Sequence, residues 1–140
     1  MLAMNLLPNF NTVLATSPKD QNFGNHIGEE CFHRYFKQAK DQWIQDFLAA
    51  NRFVDIHFLT RKYSVEIRKE VIHPSVLRVY VRSVSFEGFR LVFQVTMESP
   101  HYVCAEASFE LIAVDVKERK MISKTTLHEK FCLQSDHYSV

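Results

Sequence analysis

The chain has 140 residues, 46% of them hydrophobic and 13% aromatic, enough for one domain with a single buried core. Its formal net charge is +1, with Lys and Arg interspersed among Asp and Glu, which excludes the concentrated basic surface that nucleic-acid binding needs. No segment has the apolar length of a membrane span and residues 1–7 lack the basic start and long apolar run of an export signal, so a cytoplasmic protein without a membrane partner is expected.

Residues 9–17 read as a first strand, ended by Pro18 and a polar loop over residues 19–25. A helix is predicted from about Gly28. Phe32, Tyr35, Phe36, Ala39, Trp43, Phe47 and Leu48 recur at three- and four-residue steps, while Lys37, Lys40, Asp41 and Gln45 take the opposite face. After Asn51 the period changes to two. Tyr63, Val65 and Ile67 alternate with Ser64, Glu66 and Arg68; Leu77, Val79 and Val81 alternate with Arg78, Tyr80 and Arg82. Phe89, Leu91, Phe93, Val95 and Met97 alternate with polar residues that include Arg90, Gln94, Thr96 and Glu98, and residues 103–116 supply a longer strand. Turns at His73-Pro74-Ser75, Glu87-Gly88 and Ser99-Pro100-His101 fit an antiparallel meander. The expected class is α+β, one long helix covering one face of an antiparallel sheet, in a single domain over residues 1–140.

The chemistry-bearing stretch is Asp20-Gln21-Asn22-Phe23-Gly24-Asn25-His26-Ile27-Gly28-Glu29-Glu30, which sets amide, imidazole and carboxylate groups around glycines just ahead of the helix. Unpaired N–H groups at a helix start attract an anion or a polarised carbonyl, so the loop suits an acyl group. Each residue also has a plainer role. Acids in a first helical turn complement the helix dipole by about 0.3–1 kcal/mol, Asx side chains brace loops, and glycines serve turns. Asp20 in particular suits a loop brace and Glu29 a solvated charge. His26, Glu30 and His33 lack an HExxH or Cys/His spacing, so no metal site is expected. Cys31, Cys104 and Cys132 form neither a CxxC nor a zinc pattern and are expected to be reduced packing residues.

The loop pattern, with Tyr35-Phe36, Ala39-Lys40 and the later Leu77-Arg78-Val79, Phe93-Gln94-Val95-Thr96, Ala105-Glu106-Ala107 and Val114-Asp115, resembles the hotdog-fold acyl-CoA thioesterases. That group includes 4-hydroxybenzoyl-CoA thioesterase, and the resemblance spans about residues 10–117. Glu29, Glu30 and Lys40 stand where its subgroup pattern carries Asn, Asp and Arg. The resemblance implies a central helix wrapped by a strongly curved antiparallel sheet. It also implies homodimers, with tetramers as a further assembly, whose sheets join edge to edge with the active site across the interface. Hydrolysis of an acyl-CoA is implied, with coenzyme A part of the substrate and no separate cofactor.

Many members carry Asp at the position of Asn22. An amide cannot act as a base near neutral pH, and loss of a general base costs about two to four orders of magnitude, so Glu30 is the nearest replacement. On this reading Glu30 activates water or attacks, His26 and Asn22 position the reactants, the N–H groups near Gly28 polarise the carbonyl, and Gly24 and Asp20 complete the substrate-binding loop. Arg61, Lys62, Arg82, Lys117, Arg119 and Lys120 are open candidates for coenzyme A phosphates. Two alternatives remain. Hotdog hydratases of enoyl-CoA carry a loop resembling Asp20-x-Asn22 followed by His26, with a Pro that this chain lacks, and the amide at Asn22 also suits a non-catalytic acyl-CoA-binding member.

Overall fold

The computed structural model describes residues 6–7, 9–123, 126 and 137–139; Cys132 lies outside them. In chain order the elements are β1 (Asn11–Ala15), single turns at Pro18–Asp20 and Phe23–Asn25, α1 (Glu29–Ala50), β2 (Ile56–Ile67), β3 (Val76–Glu87), β4 (Arg90–Glu98), β5 (Val103–Asp115), β6 (Lys120–Met121) and β7 (His137–Ser139). The strands form one antiparallel sheet in the order β1-β3-β4-β5-β2, with β6 on β5 and β7 on β3. The sheet curls strongly around the long helix, the hotdog arrangement that the resemblance implied.

The helix follows the predicted apolar stripe. Phe32, Tyr35, Phe36, Ala39, Trp43 and Phe47 are buried, with Cys31 and Ile44 widening the stripe. Trp43 stacks on Phe47 with ring centroids 4.9 Å apart and leans on Phe93 of β4 at 4.6 Å, which ties the middle of the helix to the middle of the sheet. Burying each such side chain contributes about 1.5–3 kcal/mol. Asn51 ends the helix by donating its side-chain amide to the Phe47 carbonyl at 2.8 Å.

Two bulges bend the sheet, and they explain where simple alternation fails. In β2, Ile56 and Phe58 face the core, the register against β5 shifts between Thr60 and Lys62, and the inward positions become Tyr63 and Val65. In β3 the register against β4 shifts between Val81 and Ser83, so Leu77, Val79 and Val81 are followed inward by Val84 and Phe86. An extra residue on one strand reverses the face of everything after it and sharpens the local twist. Arg61 and Arg82 occupy the two shifts.

Some expectations need correction. β1 is shorter than predicted, covering Asn11–Ala15, although the Thr16 N–H still donates to the Ser75 carbonyl at 2.9 Å in continuation of its register on β3. Thr96, assigned to the wetter face, is 2% exposed. It sits on a central strand, paired on one side with Tyr80 and on the other with Glu106. Ile67, expected on a covered face, is 40% exposed at the last position of β2.

Candidate functional site

The site is built on a clamp. Asp20, 4% exposed, accepts hydrogen bonds on its carboxylate from the Ser17 N–H at 3.0 Å and the Tyr35 hydroxyl at 2.7 Å, and pairs with the Arg34 guanidinium. Burial alone would raise its pKa, but those donors outweigh burial and hold it at about 2. Burial, reinforced by the neighbouring Asp20 carboxylate, pushes the Tyr35 phenol well up, so it stays a protonated donor. Both Asp20 oxygens are thus engaged inside the protein. The residue fastens the loop to the first turns of α1 and does not line the groove beyond it.

From this clamp the chain makes a tight hairpin. Gln21 bridges Ile27, the Asn22 N–H donates to the His26 carbonyl at 2.7 Å, and the His26 N–H donates to the Phe23 carbonyl at 3.2 Å. Gly24 and Asn25 at the bend both have φ of 64°, a left-handed conformation that Gly adopts freely and Asn tolerates. The bend leaves Phe23 91% exposed at the tip. Its second arm pairs with the connection between β2 and β3: Ile27 N–H donates to the Val71 carbonyl at 2.9 Å, His73 N–H to the Asn25 carbonyl at 2.8 Å, and His26 bridges Ile72. Buried Val71 anchors that connection in the core.

The two connections border an open groove of about 420 Å³ at the N-terminal end of α1. Ile27 and Phe32 give it an apolar floor, and Phe23 and Ile67 an exposed apolar rim. Asn22, His26, Glu29, Arg68, Lys69 and Glu70 bring polar groups to its walls. His26 Nδ1 lies 2.6 Å from the Glu70 carboxylate. Glu29 also approaches His33 Nε2 at 3.9 Å, and His33 Nδ1 is 2.7 Å from the Tyr63 hydroxyl on β2. Sequence reading passed over Arg68, Lys69 and Glu70. The only signal was a charged run at the end of a strand pattern, because only the pairing of two loops distant in sequence carries it to His26.

Asn22 and His26 therefore meet in the groove, while Glu30 does not reach its wall. The Glu30 carboxylate folds back over Gly28, close enough to overlap a Cβ placed there, an overlap that a turn of the flexible Glu30 side chain would relieve. The helix carboxylate at the groove is Glu29. The donor expected of Gly28 is also spent: its N–H bonds to the Asp20 carbonyl at 3.1 Å, and Cys31 N–H bonds to the Gly28 carbonyl at 3.0 Å. Among the described residues, the first-turn N–H groups left without a partner are those of Glu29 and Glu30. Gly24 serves the bend, with the His26 ring packed beside it.

No group of three or more His, Cys, Asp or Glu suited to a metal occurs among the described residues. Cys31 and Cys104 are free and buried, and burial raises both thiols. Of the basic residues considered for phosphates, Arg61 pairs with Glu110, Arg82 with Glu106, Lys117 with Asp55 and Lys120 with Glu118. No described helix is long and apolar enough to cross a membrane.

Solved structures share this architecture at low sequence identity. The Staphylococcus aureus protein SAV2348, solved in complex with CoA, superposes with a TM-score of 0.72 at 10% identity, over 96% of this chain and 89% of that one. A DHNA-CoA thioesterase from Staphylococcus aureus gives 0.69 at 16% identity, over 89% and 84%. Slr0204 from Synechocystis, a 1,4-dihydroxy-2-naphthoyl-CoA thioesterase, gives 0.66 at 12%, over 90% and 97%. No curated protein sequence matches the chain. The model of the thioesterase-like superfamily matches residues 16–132, and with the curled sheet and its single long helix this establishes that the chain belongs to that superfamily.

Proposed function

We propose that this protein hydrolyses the thioester of an acyl-CoA in the groove at the start of α1. The observation that carries the reading is the convergence of Asn22, His26 and Glu29 on a partly apolar groove, where the Glu29 amide has no partner among the described residues. That amide suits the oxyanion that forms as water adds to the carbonyl, and one such donor is typically worth about 3–4 kcal/mol. His26 takes the proton from the attacking water, and the Asn22 amide orients the water or the carbonyl. The tetrahedral intermediate then collapses: the C–S bond breaks and the sulfur takes the proton back from His26, leaving as the thiol of coenzyme A. The acyl chain lies on Ile27 and Phe32, while Lys69 faces the phosphates; Arg68 is held by Glu66 and Glu106. Membership of a thioesterase-like superfamily and the CoA held by a structural neighbour support this assignment.

The working form is a homodimer joined through β2, whose outer edge has no strand partner among the described residues.

Thiol release from short, long and aromatic acyl-CoAs tests the reading. The wild type is expected to turn over at least one class, and Glu29→Gln to lower kcat more than Glu30→Gln. Loss of enoyl absorbance without thiol release would replace hydrolysis by hydration. Thermal stabilisation by acyl-CoA without any turnover would make the protein a binding member of its superfamily.

A further inference from the structure

Glu70 comes from a different loop than the motif residues, yet its carboxylate lies 2.6 Å from His26 Nδ1. The side chains are 42% and 65% exposed for His26 and Glu70, so the pair adds little to stability in water. Nor is it needed to hold the two loops together. The Ile27 to Val71 and His73 to Asn25 backbone bonds already do that, and the Tyr102 hydroxyl donates to the Glu70 carbonyl at 2.9 Å. Lys69 lies over the Tyr102 ring at 5.0 Å, which steadies the same turn from its other side. The backbone of Glu70 is thus fixed independently of its carboxylate. What the carboxylate adds is an acceptor aimed at one particular ring nitrogen.

In neutral imidazole one nitrogen carries the proton and the other the lone pair, and the partner of one decides the state of the other. A carboxylate accepts only, so neutral His26 beside Glu70 must place its proton on Nδ1. Its Nε2, which has no hydrogen-bond partner among the described residues, then keeps the lone pair. An amide at Asn22 supplies no base, so that lone pair and the Glu29 carboxylate are the acceptors the groove offers to water. We propose that Glu70 is the positioning residue of this site, fixing the His26 tautomer and ring orientation so that Nε2 receives the proton of the attacking water. The assignment rests on the thioesterase reading for its catalytic part only.

The test joins 15N NMR of histidine-labelled protein with kinetics of Glu70→Ala and Glu70→Gln. Neutral His26 should be protonated at Nδ1 in the wild type and lose that preference in Glu70→Ala. Against the best acyl-CoA, Glu70→Ala should lower kcat about tenfold with KM changed less than about twofold, a modest share of what a general base supplies. Glu70→Gln, whose amide oxygen can still accept from Nδ1, should recover part of the loss. In a His26→Ala background Glu70→Ala should have no further effect. An Nε2-protonated His26 in the wild type, or full kcat in Glu70→Ala, overturns the assignment. If the wild type releases no thiol from any acyl-CoA, the hydrolytic reading falls, and the NMR arm alone decides whether Glu70 sets the tautomer.

Discussion

Asp20 and His26 stand at the two ends of one short hairpin, and each is paired with a group of opposite character, yet they do different work. Asp20 is buried under Tyr35, Arg34 and the Ser17 backbone, where every lone pair matters because water cannot replace a lost donor. His26 meets Glu70 at the surface, where water competes and the pair governs direction more than stability. A loop can therefore be rigid at its root and chemically open on its second arm. The clamp holds the hairpin against α1, and the hairpin carries an imidazole to the groove.

Breaking the clamp should have the largest effect. Asp20→Ala leaves the buried Tyr35 hydroxyl without its acceptor and the half-exposed Arg34 guanidinium without its partner, and should destabilise the fold by about 1–3 kcal/mol in denaturant titrations. At the other end, His26→Ala should lower thiol release by about 100-fold. The same variant should shift stability by less than about 1 kcal/mol, since the lost pair is exposed. Equal stability losses from the two substitutions would erase the contrast.

Acid sharpens it further. The Asp20 pKa falls from 3.8 to about 2 on folding, so its contribution of about 2 kcal/mol is fully present above pH ~4 and is lost as pH falls through about 2. Asp20→Asn should flatten that limb of the stability–pH curve, measured by chemical denaturation at each pH. The smallest effect is expected from Asn22→Asp, which returns a carboxylate to the groove wall. It should raise thiol release up to about tenfold if Asn22 faces the reacting carbonyl, and an unchanged rate would place that side chain outside the chemistry.

Local pattern made much of this molecule legible. The three-and-four spacing from Phe32 to Phe47 marks the buried helix because the α-helical repeat brings those residues to one face. The alternation in β3 and β4 marks strands because successive side chains point to opposite sides. Gly24-Asn25 marks a bend, since both residues accept a left-handed backbone. Alternation could not reveal the register shifts at Arg61 and Arg82, because a bulge is defined by two strands together and neither one signals it alone.

The candidate site divides along the same line. Asn22 and His26 were visible as chemistry-bearing residues in one continuous stretch, and the groove contains both. The choice of Glu29 over Glu30 at the wall, and the loss of the Gly28 N–H to Asp20, depended on how the first helical turn sits on the clamp. Residue types and spacing alone determined a helix-and-sheet domain with a polar loop at the helix start. Which loop meets which, and so the pairing of Glu70 with His26, was decided by tertiary structure, because side chains distant in the chain acquire a distance only when the backbone between them has folded.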